Sequence, residues 1–287
     1  MKAPAFHYER PQSLPEVFAL LAKHGDEACV LAGGQSLMPM LNMRLTSPAV
    51  LIDINTIGTL AGISVDASVL TIGAMTRHYQ VAESPEIARR LPLIAEAMAH
   101  VAHAAVRNRG TFGGSLALAD PAAEMPACCV ALDGVMVIEG ARGRRKVPAA
   151  SFFTGMFATA LEPDELLLAV EFPIGATGWR CGFMEFARRQ GDYAILGGAA
   201  QLRLAQRRIE DVRLVLFGVG EQPYRAAAAE TALLSLRPFA ERLAAAKQAL
   251  QAELPEFSDT QATAQMRRHL GGVLIDRMLS PFAPELD

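Results

Sequence analysis

The chain has 287 residues, enough to bury a sizeable core and divide into about two domains. Its hydrophobic fraction of 51% owes much to alanine, and aromatic residues make up only 6%. A net charge of −3 supplies no general attraction to nucleic acid or an anionic membrane, and no window reaches the roughly 20 apolar residues of a membrane-spanning helix.

In chain order, Ser13 is placed to cap a helix over 13–24, with Glu16 completing a capping box and Val17, Leu20 and Leu21 as its apolar stripe. Ala28 to Ala32 reads as a buried strand running into Gly33-Gly34, Leu37 to Leu45 as a short helix, and Val50 to Ile54 as another strand. These form a small α/β lobe over about residues 1–57. Gly62 to Val65 and Val69 to Gly73 read as a hairpin. Thr76 is expected to cap a helix through Ala82, and Leu91 to Ala104 to form a longer helix. A second glycine pair, Gly113-Gly114, precedes a helix over about Pro121 to Leu132 and strands at Val135 to Ile138 and Leu166 to Phe172.

The run Pro173-Ile-Gly-Ala-Thr-Gly178 marks a domain boundary, giving domains over 1–175 and 179–284. Beyond it, strands at Gly182 to Arg188, Ala199 to Leu204 and Val212 to Gly218 precede helices over about 226–235, 238–252 and 260–279. Strands followed by helices define an α+β layer.

Several features carry no chemistry. Cys29, Cys128, Cys129 and Cys181 lack the C-x-x-C spacing of a cluster or structural zinc site, and read as free thiols in a reducing compartment. His100 and His103 lack the carboxylate of an H-E-x-x-H motif. Arg142 to Lys146 reads as a solvated hairpin tip. The apolar stretch Ala127 to Ile138 is broken at Asp133-Gly134, and no apolar stretch follows Lys2, Pro4 and His7, so no signal peptide is expected and the chain reads as cytoplasmic.

The glycine pairs do carry chemistry. Each precedes a serine (Ser36 and Ser115), and paired glycines let backbone approach a ligand and adopt positive φ. Successive amides in such turns form anion-binding concavities, so two of them suit a ligand with two phosphates, or a phosphate and a polar tail. Neither is a Walker A loop or a Rossmann fingerprint. Asp120-Pro121-Ala-Ala-Glu124 then places two carboxylates about a proline-started turn. Carboxylates accept hydrogen bonds from ribose-type hydroxyls. Asp120 also suits an N-cap with Pro121 at the first helical position, a role compatible with the first.

The runs Ala32-Gly-Gly-Gln-Ser-Leu-x-Pro-x-Leu-Asn42-x-Arg44-Leu45, Val106-Arg-Asn-Arg-Gly-Thr-x-Gly-Gly-Ser-Leu-Ala117, Ala119-Asp-Pro-Ala-Ala-Glu124 and Arg188-Arg-x-Gly-Asp-Tyr193 together resemble the flavin-binding medium subunit of the molybdenum hydroxylases. That family includes carbon monoxide dehydrogenase and the xanthine dehydrogenases. The resemblance spans both domains. It implies an α+β chain with a two-lobed FAD-binding domain of the vanillyl-alcohol-oxidase (PCMH) type, followed by an α+β flavoprotein C-terminal domain. It also implies FAD between the lobes, with Ala32, Gly33, Gly34, Gln35 and Ser36 at the pyrophosphate. Thr111, Gly114 and Ser115 would line the second side, Glu124 would hold a flavin-tail hydroxyl, Asp192 and Tyr193 would approach the isoalloxazine, and Leu37, Ala117 and Leu167 would be further cofactor-binding positions.

Further implications concern partners: a large subunit with the molybdenum cofactor, a small subunit with two 2Fe–2S clusters, a dimer of heterotrimers, and an external electron acceptor. No catalytic residue and no metal ligand is assigned to this chain. Arg44, Arg107 and Arg109 lie inside the motifs, where charge compensation and plain solvation are both open. Some relatives carry a lysine shortly before the Arg-Arg run, where this chain has Met184 and Glu185. A stand-alone flavin oxidoreductase and a scaffold without FAD are the rival functions; the first needs an acid or base over the flavin, and none stands out.

Overall fold

The structure is a computed structural model that describes residues 2–286. Its N-terminal part is a three-stranded parallel sheet in the order β1-β3-β2, with β1 at His7–Glu9, β2 at Ala28–Leu31 and β3 at Val50–Asp53. Helix α1 (Leu14–His24) buries Val17 and Leu21, which share one apolar cluster with Val50 and Ile52 of β3. The expected capping box is absent. The Ser13 hydroxyl donates to Glu16 at 3.0 Å, and Glu16 accepts from the amide of Gln12 rather than that of Ser13. Helix α2 (Leu37–Asn42) follows the first glycine pair.

Next comes an antiparallel five-stranded sheet in the order β4-β5-β10-β6-β7. Its members are β4 (Ile63–Val65), β5 (Val69–Gly73), β6 (Val135–Gly140), β7 (Gly143–Pro148) and β10 (Glu165–Pro173), with β8 (Phe153–Gly155) and β9 (Ala158–Thr159) as a separate small pair. Three helical expectations are corrected here. Thr76 is not a cap: its buried hydroxyl bonds the carbonyl and amide of Gly62, and Arg77 occupies the cap position of α3 (His78–Glu83). The single helix over Leu91 to Ala104 is divided. Pro92, which lacks an amide, opens α5 (Pro92–Met98) directly behind α4 (Pro85–Arg90), and a turn with Ala102 at φ 41° separates α5 from α6 (Ala104–Arg107). His100 and His103 therefore share no helix face, and among the described residues no group of metal-ligating side chains gathers. Asp120 does not cap a helix either, because its carboxylate accepts from the Ala122 amide at 2.9 Å in an isolated turn before α8 (Glu124–Ala131).

Helix α7 (Phe112–Leu118) begins at the second glycine pair, and the short α9 (Ala149–Phe152) follows β7. Helix α8 is buried from Met125 to Ala131, the burial expected of a helix apolar on every side. It shares one apolar cluster with the five-stranded sheet and packs on an antiparallel sheet of β11 (Trp179–Ala187), β12 (Ala194–Ala205), β13 (Arg208–Phe217) and β14 (Tyr224–Arg225). The two-residue period of β13 sorts its faces. Val215 and Phe217 join the cluster around α8, while Leu214 and Leu216 join the cluster beneath α10 (Ala227–Leu233), α11 (Phe239–Glu253) and α12 (Ala264–Leu279). A last short helix, α13 (Ala283–Leu286), packs near α11. No helix among the described residues is long and apolar enough to cross a membrane.

Candidate functional site

The two glycine loops meet. Gly33 is buried where the first loop touches the backbone of the second, so that a Cβ there would lie 2.8 Å from the Gly110 Cα and closer still to the Arg109 carbonyl. Gly34 adopts φ +71°, in the left-handed region that favours glycine. Gly114 faces the same junction, its missing Cβ 3.7 Å from that of Ala32.

The loops are chemically unlike. Among the described residues, the amides of Gly34, Gln35, Ser36 and Leu37 meet no protein acceptor, and the Ser36 hydroxyl caps nothing. These groups are free to receive an anion. Around the second pair every amide is already used. Phe112 donates to Thr76, Gly113 to Ala74 at 2.8 Å, Gly114 to the Thr111 hydroxyl at 3.1 Å, and Ser115 to the Thr111 carbonyl. The second pair is thus the first turn of a capped helix rather than an anion nest, which corrects the symmetrical reading of the two motifs. Gly113 is there for packing, since a Cβ would meet the Ala74 backbone 2.7 Å away. Thr111 is buried and shapes the turn, whereas Ser115 is half-buried and Ala117 exposed on the helix that follows.

Two further segments converge. Glu124 opens α8, where burial, reinforced by the neighbouring Asp120 carboxylate, pushes its carboxyl up to about 7. Tyr193 lies close to both acids: partial burial and the charges of Asp120 and Glu124 raise its phenol above the ordinary value. Its loop is seated on the second lobe through Gly191, at φ +82°, where a Cβ would lie 2.6 Å from the His103 ring. Asp192 and Tyr193, with Arg188, Thr260 and Gln261, line a cavity of 420 Å³. Leu167 stands apart: on β10, 3% exposed, it packs in the core of the second lobe, so any ligand contact would be through its main chain. Arg107 spends its guanidinium on the carbonyls of Val101 and Ala102 at 2.8 and 2.9 Å, which settles it as a turn-holder.

Sequence reasoning missed Asn55 and Arg77, and singled out Glu185 only as the place where some relatives carry a lysine. Asn55 and Arg77 bridge the loops by hydrogen bonds, and nothing in their spacing announces it. Glu185 is buried at the interface of α5 and β11, its Oε1 3.4 Å from His100 Nδ1 and its Oε2 without a hydrogen-bond partner. Burial, and then the Glu124 charge, push its carboxyl up to about 8. The site offers a diphosphate a row of free amides, hydroxyl-bearing ligands a carboxyl whose proton is held up to about 7, and a planar ring an exposed tyrosine.

This combination defines a flavoprotein of the two-lobed type. The FAD-binding domain of molybdopterin dehydrogenases matches residues 4–175, and the CO dehydrogenase flavoprotein C-terminal domain matches residues 182–282. The chain belongs to the FAD-binding medium-subunit family of the molybdenum hydroxylase dehydrogenases, as an oxidoreductase subunit whose cofactor is FAD. It is 39% identical over its whole length to caffeine dehydrogenase subunit beta of Pseudomonas sp. (strain CBB1), covering 97% of that protein. It is 36% identical to the carbon monoxide dehydrogenase medium chain of Hydrogenophaga pseudoflava, covering 98% of each. A solved carbon monoxide dehydrogenase from Hydrogenophaga pseudoflava superposes with a TM-score of 0.96 at 38% identity over all of both chains.

Proposed function

We propose that this chain is the electron-transfer link of a heterotrimeric molybdenum-containing dehydrogenase. It would accept electrons from two 2Fe–2S clusters on a small partner subunit and deliver them to an external acceptor. Substrate oxidation would occur at a molybdenum cofactor on a large partner subunit, in a cytoplasmic dimer of heterotrimers. When bound, FAD supplies the redox chemistry. The chain's own residues bind and orient it, within domains over 1–175 (lobes 1–57 and 58–175) and 179–284.

The observation that carries this reading is the contact of Gly33 with Arg109 and Gly110, which fuses one loop of free amides to one loop of packed glycines. In this proposal the amides of the loop from Ala32 to Leu37 bind pyrophosphate oxygens, and Gly33 and Gly34 keep side chains out of their way. Gly114, Ser115 and Ala117 form the opposing wall, with Thr111 as its cap and Leu167 contributing main chain only. Glu124, mostly protonated below about pH 7, can both donate to and accept from a flavin-tail hydroxyl. Asp192 and Tyr193 flank the ring, where an aromatic side chain limits water access.

Affinity purification of the chain co-expressed with its neighbouring genes tests the proposal. The expected product is a three-subunit complex with FAD, molybdenum, and four irons per heterotrimer for two 2Fe–2S clusters. Full dehydrogenase turnover by the isolated yellow chain with its own substrate would replace the proposal with the stand-alone enzyme.

A further inference from the structure

We propose that Asn55 and Arg77 form an inter-lobe clasp that fixes the spacing of the two glycine loops, making them positioning residues for the FAD cleft; this rests on the FAD reading above. Asn55 lies two residues beyond β3 in the first lobe, and Arg77 leads into α3 in the second. The Asn55 Nδ2 donates to the Ala32 carbonyl at 2.9 Å, on the first loop itself. Its Oδ1 accepts from Arg77 Nη2 at 2.6 Å, and Arg77 Nη1 donates to the carbonyl of Arg109, beside Gly110. One unbroken chain of hydrogen bonds therefore runs from the first loop to the second, alongside the Gly33 contact.

The partners leave the asparagine amide a single orientation. Its oxygen faces a guanidinium, which only donates, while its nitrogen faces the Ala32 carbonyl and an Asp53 carboxylate oxygen at 2.5 Å, which only accept. Asp53 also accepts from the Asn55 backbone amide at 2.9 Å, and the Tyr8 hydroxyl donates to its other oxygen. Arg77 is held from its own side, because its amide donates to Gln80 and it bridges Thr111 in an isolated β-pair. Tyr8, Asp53, Asn55 and Arg77 thus link β1, β3 and the start of α3 into one brace. Its two terminal contacts are carbonyls within one residue of the glycines that touch. None of these side chains is spent on a solvent-facing ion pair, and a lysine at 77 has no fork with which to span both acceptors.

The test uses the full-length chain stripped of FAD, with affinity read from the quenching of FAD fluorescence and stability from apo-chain melting. Asn55→Ala and Arg77→Met are each expected to weaken FAD binding about tenfold or more, the scale of a lost charge-assisted hydrogen bond. The double variant is expected to be little worse than either single one, because both cut the same chain. Arg77→Lys is expected to recover part of the loss, and Tyr8→Phe, which removes only the outer hydroxyl, to cost about threefold. Lower apo-chain melting temperatures with unchanged FAD affinity would reduce the network to plain structural support and overturn the clasp. Should Arg77→Met fail to fold, Arg77→Lys and Tyr8→Phe still decide, since wild-type affinity in both contradicts it. A folded wild-type chain that takes up no FAD overturns instead the reading on which the clasp rests.

Discussion

At Gly33 and Gly34 the same residue type answers two different demands. Gly33 is small because another strand of backbone lies where its side chain would be. In Gly33→Ala the new methyl meets the Gly110 Cα at 2.8 Å, and backbone yields less readily than a side chain. The expected cost is about 2–3 kcal/mol, with loss of most bound FAD as the lobes are forced apart. Gly34 is required by its φ of +71°, and a Cβ there meets only the ends of Leu31 and Met38 at 3.2 Å. Gly34→Ala is therefore expected to cost about 1–2 kcal/mol and retain more FAD than Gly33→Ala. Melting curves and flavin content of the two purified variants check this order, and the reverse order contradicts it.

The buried carboxyls supply a pH prediction of definite sign. Glu185 and Glu124 hold their protons in the folded chain up to about 8 and about 7, whereas the unfolded chain releases them near the ordinary carboxyl value of 4.5. The folded state therefore binds more protons across this interval, and these groups' contribution to stability declines as pH rises from 4.5 to about 8. His78 acts at the other end: its ring is buried, its amide donates to Gly110, and desolvation lowers its pKa to about 4. Its contribution is lost as pH falls from 6.5 towards 4. In Glu185→Gln the decline on the alkaline side is expected to be shallower, so that the variant gains on the wild type in melting temperature between pH 6 and pH 8.5. Parallel pH profiles would contradict the assignment of Glu185 as a buried neutral acid.

Among the elements, α7 shows most clearly what a sequence motif conceals. Thr111-x-Gly-Gly-Ser was legible as a special turn, and its glycines and hydroxyls did point to the right place. That the turn is already helical was not legible, because Gly113-Gly114 disfavours a helix interior by propensity and is tolerated here only through packing on Ala74. Thr111→Val is expected to lose the N-cap bond to Gly114 at about 1 kcal/mol, seen as a melting temperature lower by about 2–4 °C, while Thr111→Ser stays near wild type. Equal melting of all three chains would remove the cap from the account.

The long helix expected over Leu91 to Ala104 failed for a related reason. Its apolar periodicity was real, but Pro92 and the turn at Ala102 divide it, and that turn is held by Arg107 from further along the chain. Patterns of period two and 3.6 found most strands and helices, because they report which face is buried. The bonds among Tyr8, Asp53, Asn55 and Arg77 escaped because they join residues with no shared period.

Across the whole molecule, α8 and the four-stranded sheet make the second lobe and the C-terminal domain share one apolar cluster, with Val215 and Phe217 packed beside Cys128 and Cys129. The Gly-Asp-Tyr loop is thereby held near Asp120 and Glu124, as the proposed FAD site requires. Glu185 lies in the same interface, so a charge change there is felt at the cleft: Glu185→Lys is expected to raise the flavin midpoint potential by favouring the reduced anion, and an unchanged potential in a redox titration contradicts this. In the proposed function the two fused glycine loops hold FAD, and the flavin content of the purified full-length wild-type chain decides the matter. Close to one releasable FAD per chain is expected, largely lost in Gly33→Ala; a folded, colourless chain that takes up no added FAD would overturn the assignment.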